Sequence, residues 1–542
     1  MAQVTSEALA DGSRALRRGD WTAARDSFQA ALETERSGQA WDGLAWAAWW
    51  LCDEELDFEA REKAYRAHRA AGDDCSAARA AAWLAGNYMD YRGEHAVAIG
   101  WLERARRLLE GNEACAEAGF VSLIEADVLA QMGEPPSRVE AVADHAVGVG
   151  RELGVNDLVA VGLALKGRAV VSQGRVEEGI RLLDEASASA SGDDFELPLS
   201  PAWALCCVIT GCEGVGDYPR AAQWCGAMVA TGERWQGRYM TGMCRSAYGS
   251  ILATQGDWPA ADAALVAAVD AMQATRPPMA GGGLARLGEL RARQGRRDEA
   301  AELFHQAGAH PLGLVGLGNL ALEAGDAAGA ADAAERVLRR LPEGAVLDRF
   351  PALELLAGAK SAQGDLDAAG AACAELAETA AALSTPYLKG RARLAAGAAA
   401  VAAGDHEQAR RLCEDAIDLF AESAAPYDQA RTRVVLADAL RALGRDEPAT
   451  AERVAADEAF RRLGAAGRAP RAGGTPGEPG ELTVRELEVL RLVAGGMSDA
   501  EVAERLVVSP HTVHRHVANV RMKLGLPSRA AAVAYAAREN LL

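Results

Sequence analysis

The sequence predicts an all-α protein, in which a long solenoid of helical hairpins precedes a small domain of four helices. Three observations support this prediction. A glycine-centred pattern recurs through most of the chain, mostly at spacings of 39 to 42 residues. A stretch rich in glycine and proline then interrupts the pattern, and a different helical pattern follows it. The predicted boundaries are 1–463 for the repeats, 464–480 for a flexible linker and 481–542 for the C-terminal domain.

The recurring pattern consists of a glycine, an alanine five positions later and an apolar residue nine positions later. Glycine ends a helix in the left-handed conformation, and an Asp directly after it caps the next helix. One such hairpin cannot bury its apolar stripe, so the hairpins are expected to stack. A degenerate copy is expected near residues 56–65. The other copies begin at Gly19, Gly93, Gly133, Gly174, Gly216, Gly256, Gly295, Gly325, Gly364, Gly404 and Gly444.

This pattern resembles tetratricopeptide (TPR) repeats, whose usual period is about 34 residues. The longer period here implies longer helices or loops than in those repeats. The resemblance covers roughly residues 8–463. It implies a sensing or interaction region for an effector, either a protein or a small molecule, whose identity the sequence does not give.

The tryptophans permit two interpretations. All eleven lie at or before Trp258, and Trp46, Trp49 and Trp50 share one helical face. Their rings either pack between hairpins in the core or line a ligand groove. A second groove candidate lies in residues 234–249, where one predicted helix carries Trp235, Tyr239 and Met243.

Charge is unevenly distributed along the chain. The net charge is −20, yet residues 481–542 hold 8 Arg or Lys against 7 Asp or Glu, so the remaining residues carry 49 against 70, a net −21. A body this acidic repels nucleic acid and anionic membranes. The N-terminus lacks a signal pattern, and the most apolar run, 44–52, is too short to span a bilayer. These features predict a cytoplasmic protein without a membrane partner.

The ten cysteines include no C-x-x-C pair and fall within apolar, helix-like runs. Buried free thiols in a reducing compartment are therefore predicted. The cluster Cys206, Cys207 and Cys212 leaves a redox or metal site as the alternative, although no His lies at ligand spacing.

In the C-terminal domain, capping residues mark the predicted N-termini of the helices. Thr483 with Glu486 and Ser498 with Glu501 form two predicted capping boxes. Ser509, followed by proline, caps the third helix. In this helix Val513, Val517, Val520 and Leu524 repeat at helical spacing and must face inward.

The opposite side of the third helix carries donors and no acid. Residues 509–529 contain four Arg or Lys, three His and no Asp or Glu. A helix of this kind fits the major groove, where its side chains reach base edges and flanking donors hold phosphates. The exposed face and its borders consist of His511, Thr512, His514, Arg515, His516, Ala518, Asn519 and Arg521. Double-stranded DNA is therefore the predicted partner, and Arg515 is the foremost candidate for reading a base.

The same segment resembles the LuxR/FixJ-type helix-turn-helix domain through LTVRE, GMSDAEVA, SPHTVHRH and KLGLPSR. The resemblance spans residues 482–542 and implies phosphate contacts near Ser509, Thr512 and Lys523. It also implies dimerisation through the fourth helix, and His514 stands where the family usually has Lys or Arg. The small-residue stripe that would form the homodimer contact consists of Ala530, Val533, Ala534, Ala537 and Leu541.

No enzymatic signature accompanies these features. Of the five lysines, the one followed by Ser is Lys360, which lacks both glycines of a phosphate-binding loop. We therefore expect no catalysis, no cofactor and no metal. The predicted function is a sequence-specific transcriptional regulator. The alternative is a TPR-like scaffold or ligand-binding protein in which the helix-turn-helix is not the main activity.

Overall fold

The computed structural model describes most of the chain. The described residues are 2–112, 114–190, 192, 195–235, 238–465, 484–495 and 497–506, with the single positions 513, 516, 517, 520, 521, 531, 532, 535 and 536. The side chains of 2–6, 227, 229–241, 484–487 and 504 lie outside this description. The described residues form helices and turns and contain no strand. The predicted all-α fold is confirmed.

Twelve helical hairpins, each an A helix followed by a B helix, build the chain up to Leu463. The A and B helices of successive hairpins are α1 Ala2–Arg18 and α2 Trp21–Thr34, α3 Gly38–Leu51 and α4 Glu54–Ala71, α5 Asp74–Asn87 and α6 His95–Leu109, α7 Ala116–Gln131 and α8 Pro136–Leu153, α9 Asn156–Ser172 and α10 Val176–Ala190, α11 Ser200–Val215 and α12 Tyr218–Trp235, α13 Arg238–Gln255 and α14 Trp258–Thr275, α15 Gly281–Arg293 and α16 Arg297–Gln306, α17 Pro311–Glu323 and α18 Ala327–Arg340, α19 Val346–Gln363 and α20 Leu366–Leu383, α21 Pro386–Ala402 and α22 His406–Glu422, and α23 Pro426–Ala442 and α24 Asp446–Leu463. A π-helical turn, Tyr88–Arg92, extends α5, and a 3-10 turn, Pro277–Ala280, precedes α15.

The turns within the hairpins lie where the sequence pattern predicts them. All eleven pattern glycines have a positive φ, between 64° and 90°. The expected degenerate copy is the α3–α4 hairpin, in which Cys52 takes the left-handed conformation at φ 57° in place of glycine. Asp20 and Asp53 illustrate the predicted caps, because each side chain accepts from a backbone N–H in the first turn of its B helix. The predicted capping by Asp is confirmed.

The alanine and apolar positions of the repeat form the seam between the two helices of a hairpin. In the first hairpin Ala24 is 0% and Phe28 2% exposed. A Cβ added to Gly12 of α1 would lie 2.8 Å from the Phe28 ring, and one added to Gly43 of α3, in the next hairpin, would lie 2.3 Å from it. Cys225, Cys373 and Cys413 occupy the same apolar position in other hairpins and are buried as free thiols. Small residues therefore let neighbouring helices approach closely around a few large side chains.

The A helices form one layer and the B helices another. Each A helix from α5 onward packs against the next A helix, whereas the B helices pack against the A helices of their own and the following hairpin. The A-helix layer is consequently the inner one. Its helices are buried along most of their length, as α9 illustrates from Leu158 to Val171.

The solenoid contacts itself five hairpins further along the chain. Gly93 of the third hairpin approaches Pro278, which precedes the eighth. Gly216 of the sixth approaches Tyr387 of the eleventh. Between the fifth and the tenth, the Ser172 hydroxyl donates to Asp348 Oδ2 at 2.7 Å. One turn of the superhelix therefore takes about five hairpins.

The contacts of the chain divide it into two compact units, Met1–Ala472 and Gly473–Leu542. The predicted linker, 464–480, falls almost entirely outside the described residues. The boundaries of the predicted domains therefore stay predictions. Two helices of the second unit are described in full, α25 Val484–Ala494 and α26 Asp499–Leu506.

Candidate nucleic-acid interface and the inner face of the solenoid

The apolar side of the third C-terminal helix faces inward, as predicted. Val513 is 0%, Val517 9% and Val520 1% exposed. Val513 and Val517 pack with Val489 of α25 and Val502 of α26. The three valines fix which side of this helix is covered, and Leu524, the fourth residue of the predicted apolar side, lies outside the described residues.

The second helix of this unit begins with the predicted capping box. The Ser498 N–H donates to Glu501 Oε2 at 2.8 Å, and the Glu501 N–H donates to Ser498 Oγ at 3.3 Å. The Ser498 N–H and the Ser498 hydroxyl, which donates to Glu501 Oε2 at 2.8 Å, together lower the pKa of the Glu501 carboxyl. The other predicted box, Thr483 with Glu486, lies outside the described residues and side chains.

Two residues of the predicted interface are described, His516 and Arg521, and both are half-buried. They lie at the border between the covered side and the predicted contact side. The remaining predicted interface residues lie outside the described part of the chain, namely Ser509, His511, Thr512, His514, Arg515, Ala518, Asn519 and Lys523.

The fourth C-terminal helix contributes to the core of its own unit. Ala532 and Ala536 are buried against Leu490 and Val520. The predicted dimer stripe uses other positions, all of them outside the described residues: Ala530, Val533, Ala534, Ala537 and Leu541. The homodimer contact stays a prediction.

Two of the groove candidates in the first unit are core residues. Trp49 is 5% and Trp50 6% exposed, and Trp50 stacks on Trp21 with ring centroids 4.4 Å apart. Core packing, one of the two interpretations, therefore describes both rings. Trp46 is half-buried, with its ring edge-on to Trp83 at 4.7 Å. In the second groove candidate Met243 packs against the core, and the side chains of Trp235 and Tyr239 lie outside the description.

A buried ionic cluster, which sequence reasoning missed, lies beside these tryptophans. Arg61 Nε donates to Asp57 Oδ1 at 3.0 Å, and Asn87 Nδ2 donates to Asp57 Oδ2 at 2.9 Å. The Arg276 guanidinium stacks 3.6 Å above the Tyr91 ring. Burial raises the pKa of Asp57 to about 6, although Arg61 and Arg276 oppose the rise.

This cluster joins two turns of the superhelix. Arg276 precedes the eighth hairpin, whereas Tyr91 belongs to the π-helical turn of the third. The sequence contained one signal for this cluster, the i, i+4 spacing of Asp57 and Arg61, which permits an ion pair on one helix. Nothing in the local sequence around Arg276 indicates that its side chain is fully buried.

A second carboxylate, Asp90 of the π-helical turn, lies near another acid, Asp127. Gln131 Nε2 donates to Asp90 Oδ1 at 3.3 Å and to Asp127 Oδ2 at 2.9 Å. Burial and the Asp127 carboxylate raise the pKa of Asp90 to about 7. A carboxyl of this kind changes its charge close to neutral pH.

The A helices also carry a series of Arg–carboxylate pairs between and within them. Arg286 of α15 forms two hydrogen bonds with Glu213 of α11, at 3.2 and 2.8 Å. Arg391 of α21 pairs in the same way with Glu354 of α19. Burial lowers the pKa of each guanidinium group, but the paired carboxylate outweighs this effect, so the pKa of both Arg286 and Arg391 is raised. The inner layer is therefore polar along part of its length and balanced in charge.

The cysteine cluster named from the sequence is divided in the structure. Cys212 lies near Asp217 and Arg220, and burial raises its pKa to about 12. Cys206 and Cys207 lie instead near Arg168. Among the described residues no group of three or more His, Cys, Asp or Glu is arranged to hold a metal ion. The described helices also include none that combines the length and apolarity needed to cross a membrane.

These geometries define a helical-repeat protein that carries a separate small helical unit at its C-terminal end. Residues 480–536 match the family described as "Bacterial regulatory proteins, luxR family". The C-terminal unit therefore carries a LuxR-family helix-turn-helix domain, and the resemblance seen in the sequence is confirmed.

Two curated relatives share this segment. One is the "Putative HTH-type transcriptional regulator Rv0890c" of Mycobacterium tuberculosis, 51% identical over 61 residues, which are 11% of this chain and 7% of the relative. The other is the "Oxygen regulatory protein NreC" of Staphylococcus aureus, 46% identical over 61 residues, which are 28% of that protein. The chain thus matches only a small part of the length of either relative.

Solved structures resemble the chain over much greater lengths, at low identity. Cut9 in the APC/C Cut9–Hcn1 complex is 12% identical, with TM-score 0.43 over 97% of this chain and 94% of that one. A Rap protein complexed with competence and sporulation factor is 14% identical, with TM-score 0.39 over 70% of this chain and 98% of that one. The apo quorum sensor NprR of B. thuringiensis is 11% identical, with TM-score 0.39 over 65% of this chain and 99% of that one.

Proposed function

We propose that the protein is a cytoplasmic, sequence-specific DNA-binding transcriptional regulator. The observation that carries the proposal is the LuxR-family domain. The apolar side of its third helix, formed by Val513, Val517 and Val520, is buried. The other side of that helix is free of acid in a chain of net charge −20. Its donors would read bases in the major groove and hold phosphates.

DNA binding would require a dimer on an inverted repeat. A symmetric pair of domains matches the two-fold symmetry of such a site. Ala532 and Ala536 face the core of their own unit, and the partner domain would contact the predicted stripe of Ala530, Val533, Ala534, Ala537 and Leu541. The protein would act by binding and not by catalysis, as the regulatory family of its C-terminal domain indicates.

The solenoid would sense a protein or small-molecule effector. Its inner layer carries half-exposed polar side chains, among them Asp90 and Arg168, and the half-buried ring of Trp46. Such a surface suits a ligand that carries both charge and apolar groups. The second candidate function is a scaffold or ligand-binding protein, which the length of the repeat array favours.

Selection of genomic DNA fragments by the purified full-length protein tests the proposal. Arg515→Ala should abolish enrichment, whereas Arg340→Ala removes the same charge from an exposed site on α18 and should retain it. A short inverted repeat that the wild-type protein enriches and Arg515→Ala does not would support the regulator. The same inverted repeat enriched by all three proteins would remove the role of Arg515 in reading the site, and no enriched sequence with any of them would favour the scaffold.

A further inference from the structure

Gly282 is the middle one of three consecutive glycines that begin α15, and its surroundings are polar. A Cβ added to the next glycine, Gly283, would lie 2.6 Å from Cε of Met272, so that glycine lets apolar groups pack closely. A Cβ added to Gly282 would instead lie 3.2 Å from Arg286 Nη1 and 3.4 Å from His310 Nε2. These two nitrogens therefore surround one point, which any larger residue at position 282 would occupy.

The His310 ring presents a hydrogen-bond donor at that point. His310 caps α17, because its Nδ1 accepts from the Leu312 N–H at 3.3 Å. Burial and the guanidinium of Arg286, the charged group that faces the ring, lower the pKa of His310 to about 4, so the ring is neutral near pH 7. A neutral imidazole whose Nδ1 accepts a hydrogen bond carries its proton on Nε2.

The Arg286 guanidinium presents the second donor. Its Nε and Nη2 donate to the two carboxylate oxygens of Glu213 at 3.2 and 2.8 Å, and this ion pair fixes the plane of the guanidinium. Nη1, the third nitrogen, is the one that lies beside Gly282. The Arg286 side chain is 20% exposed, so its donors are not sealed from solvent.

The seam between superhelical turns is open on the side where His310 lies. A Cβ on the turn glycine of the third, fifth, sixth or seventh hairpin would contact a side chain from five hairpins further along the chain, as at Gly93, Gly174, Gly216 and Gly256. A Cβ on Gly133 of the fourth hairpin would have no atom within 4 Å. Five hairpins further lies α17, which begins directly after His310. A small molecule therefore reaches the site through this gap.

We propose that Arg286 and His310 bind the carboxylate group of a small ligand beside Gly282. A carboxylate oxygen near the point described above accepts from both nitrogens, because N–H···O bonds span about 2.7–3.2 Å. Two donors suit a singly charged carboxylate, whereas a phosphate dianion presents more acceptors than this site has donors. The site would serve the sensing role proposed for the solenoid, and its biological meaning rests on that role.

Two variants remove the site in different ways. Gly282→Ala adds a methyl group where the carboxylate oxygen would lie, while the two donors need to yield by only a few tenths of an ångström. His310→Asn retains a residue that caps helices well but removes the Nε2 donor. Gly370→Ala is the matched control, because it adds the same methyl group to an exposed position of α20 with no atom within 4 Å.

NMR of the full-length protein with ¹⁵N-labelled histidine tests the proposal. Sodium acetate serves as the probe, and sodium chloride at equal ionic strength serves as the reference. The signal that disappears in His310→Asn belongs to His310. We expect this signal to shift saturably with acetate, and not with chloride, in the wild-type protein and in Gly370→Ala. Gly282→Ala should weaken the apparent affinity by roughly tenfold or more, as expected for the loss of hydrogen bonds to a charged group.

Three results would overturn the proposal. They are a wild-type His310 signal that responds to acetate no more than to chloride, equal affinity for acetate in Gly282→Ala, and a larger response to inorganic phosphate than to acetate. Circular dichroism of each variant checks that the helices persist. The titration contains no DNA, so its failure is distinguishable from a failure of the proposed regulator in the selection of genomic fragments.

Discussion

Single glycines fix where the superhelix touches itself. Gly216 and Gly364 both end A helices with nearly the same φ, 78° and 77°. A Cβ on Gly216 would lie 2.9 Å from Cβ of Tyr387, whereas a Cβ on Gly364 would have no atom within 4 Å. The pair therefore separates the cost of a left-handed residue from the cost of a lost close approach.

We predict that Gly364→Ala lowers the free energy of unfolding by about 1–2 kcal/mol, the cost of a left-handed alanine. Gly216→Ala should lower it further, because the added methyl group pushes against Tyr387 of a different superhelical turn. Thermal melts followed by circular dichroism compare the two variants. Equal losses would show that the contact between Gly216 and Tyr387 contributes nothing.

Asp90 makes stability depend on pH. Its folded-state pKa of about 7 lies above the ordinary 3.8, so the folded chain holds the proton more tightly than the unfolded chain. Its charged form therefore opposes folding above pH 7, and this penalty disappears as the pH falls toward 4. The groups that face it are Asp127, Gln131 and Arg276.

Asp90→Asn should consequently stabilise the protein at pH 8 by on the order of 1–3 kcal/mol, with a smaller gain at pH 5. Melting temperatures at the two values of pH give the comparison. Asp26→Asn, on the exposed face of α2, serves as the control and should show no such trend. A gain from Asp90→Asn that is the same at both values of pH would contradict a raised pKa of Asp90 in the folded state.

At the scale of elements, the buried cluster around Arg276 holds the 3-10 turn against the π-helical turn. Removing the guanidinium takes away a positive charge that stabilises the Asp57 and Asp90 carboxylates, although Arg61 remains beside Asp57. Arg276→Met should therefore destabilise the solenoid by about 3–5 kcal/mol, the usual cost of breaking a buried ion pair.

The matched control for Arg276 is Arg104→Met, which removes a guanidinium stacked on Trp101 at the surface. That change should cost about 1 kcal/mol or less. Urea unfolding of both variants gives the comparison. Similar midpoints for the two would mean that the Arg276 cluster does not hold the turns together.

The hairpins were predictable from the sequence because their determinants are local. A left-handed glycine such as Gly19, an Asp cap such as Asp20 and a small seam residue such as Ala24 lie within a few positions of one another. The contacts five hairpins apart depend on the pitch of the whole array. Neither the stacking of Arg276 on Tyr91 nor the hydrogen bond from Ser172 to Asp348 corresponds to a periodic pattern in the sequence.

The same reasoning applies to the candidate sites. Val513, Val517 and Val520 follow from helical spacing, so the covered side of the third helix was predictable. Trp49 and Trp50 share a face with Trp46 in the sequence, yet only the packed neighbours decide which rings are covered.

At the scale of the whole molecule, a long acidic solenoid and one LuxR-family domain share the chain. In the function that we propose, Arg515 of that domain reads a base in a specific DNA site. Arginine paired to a base edge contributes about 1–3 kcal/mol of discrimination, which corresponds to roughly 5- to 150-fold in affinity.

Fluorescence anisotropy of the full-length protein on a labelled inverted repeat, taken from the genomic selection, tests this role of Arg515. We predict that Arg515→Ala weakens binding to the repeat by about tenfold or more and leaves binding to a scrambled duplex nearly unchanged. Arg340→Ala should match the wild-type protein on both duplexes. Equal binding of the repeat and the scrambled duplex by the wild-type protein would contradict this role.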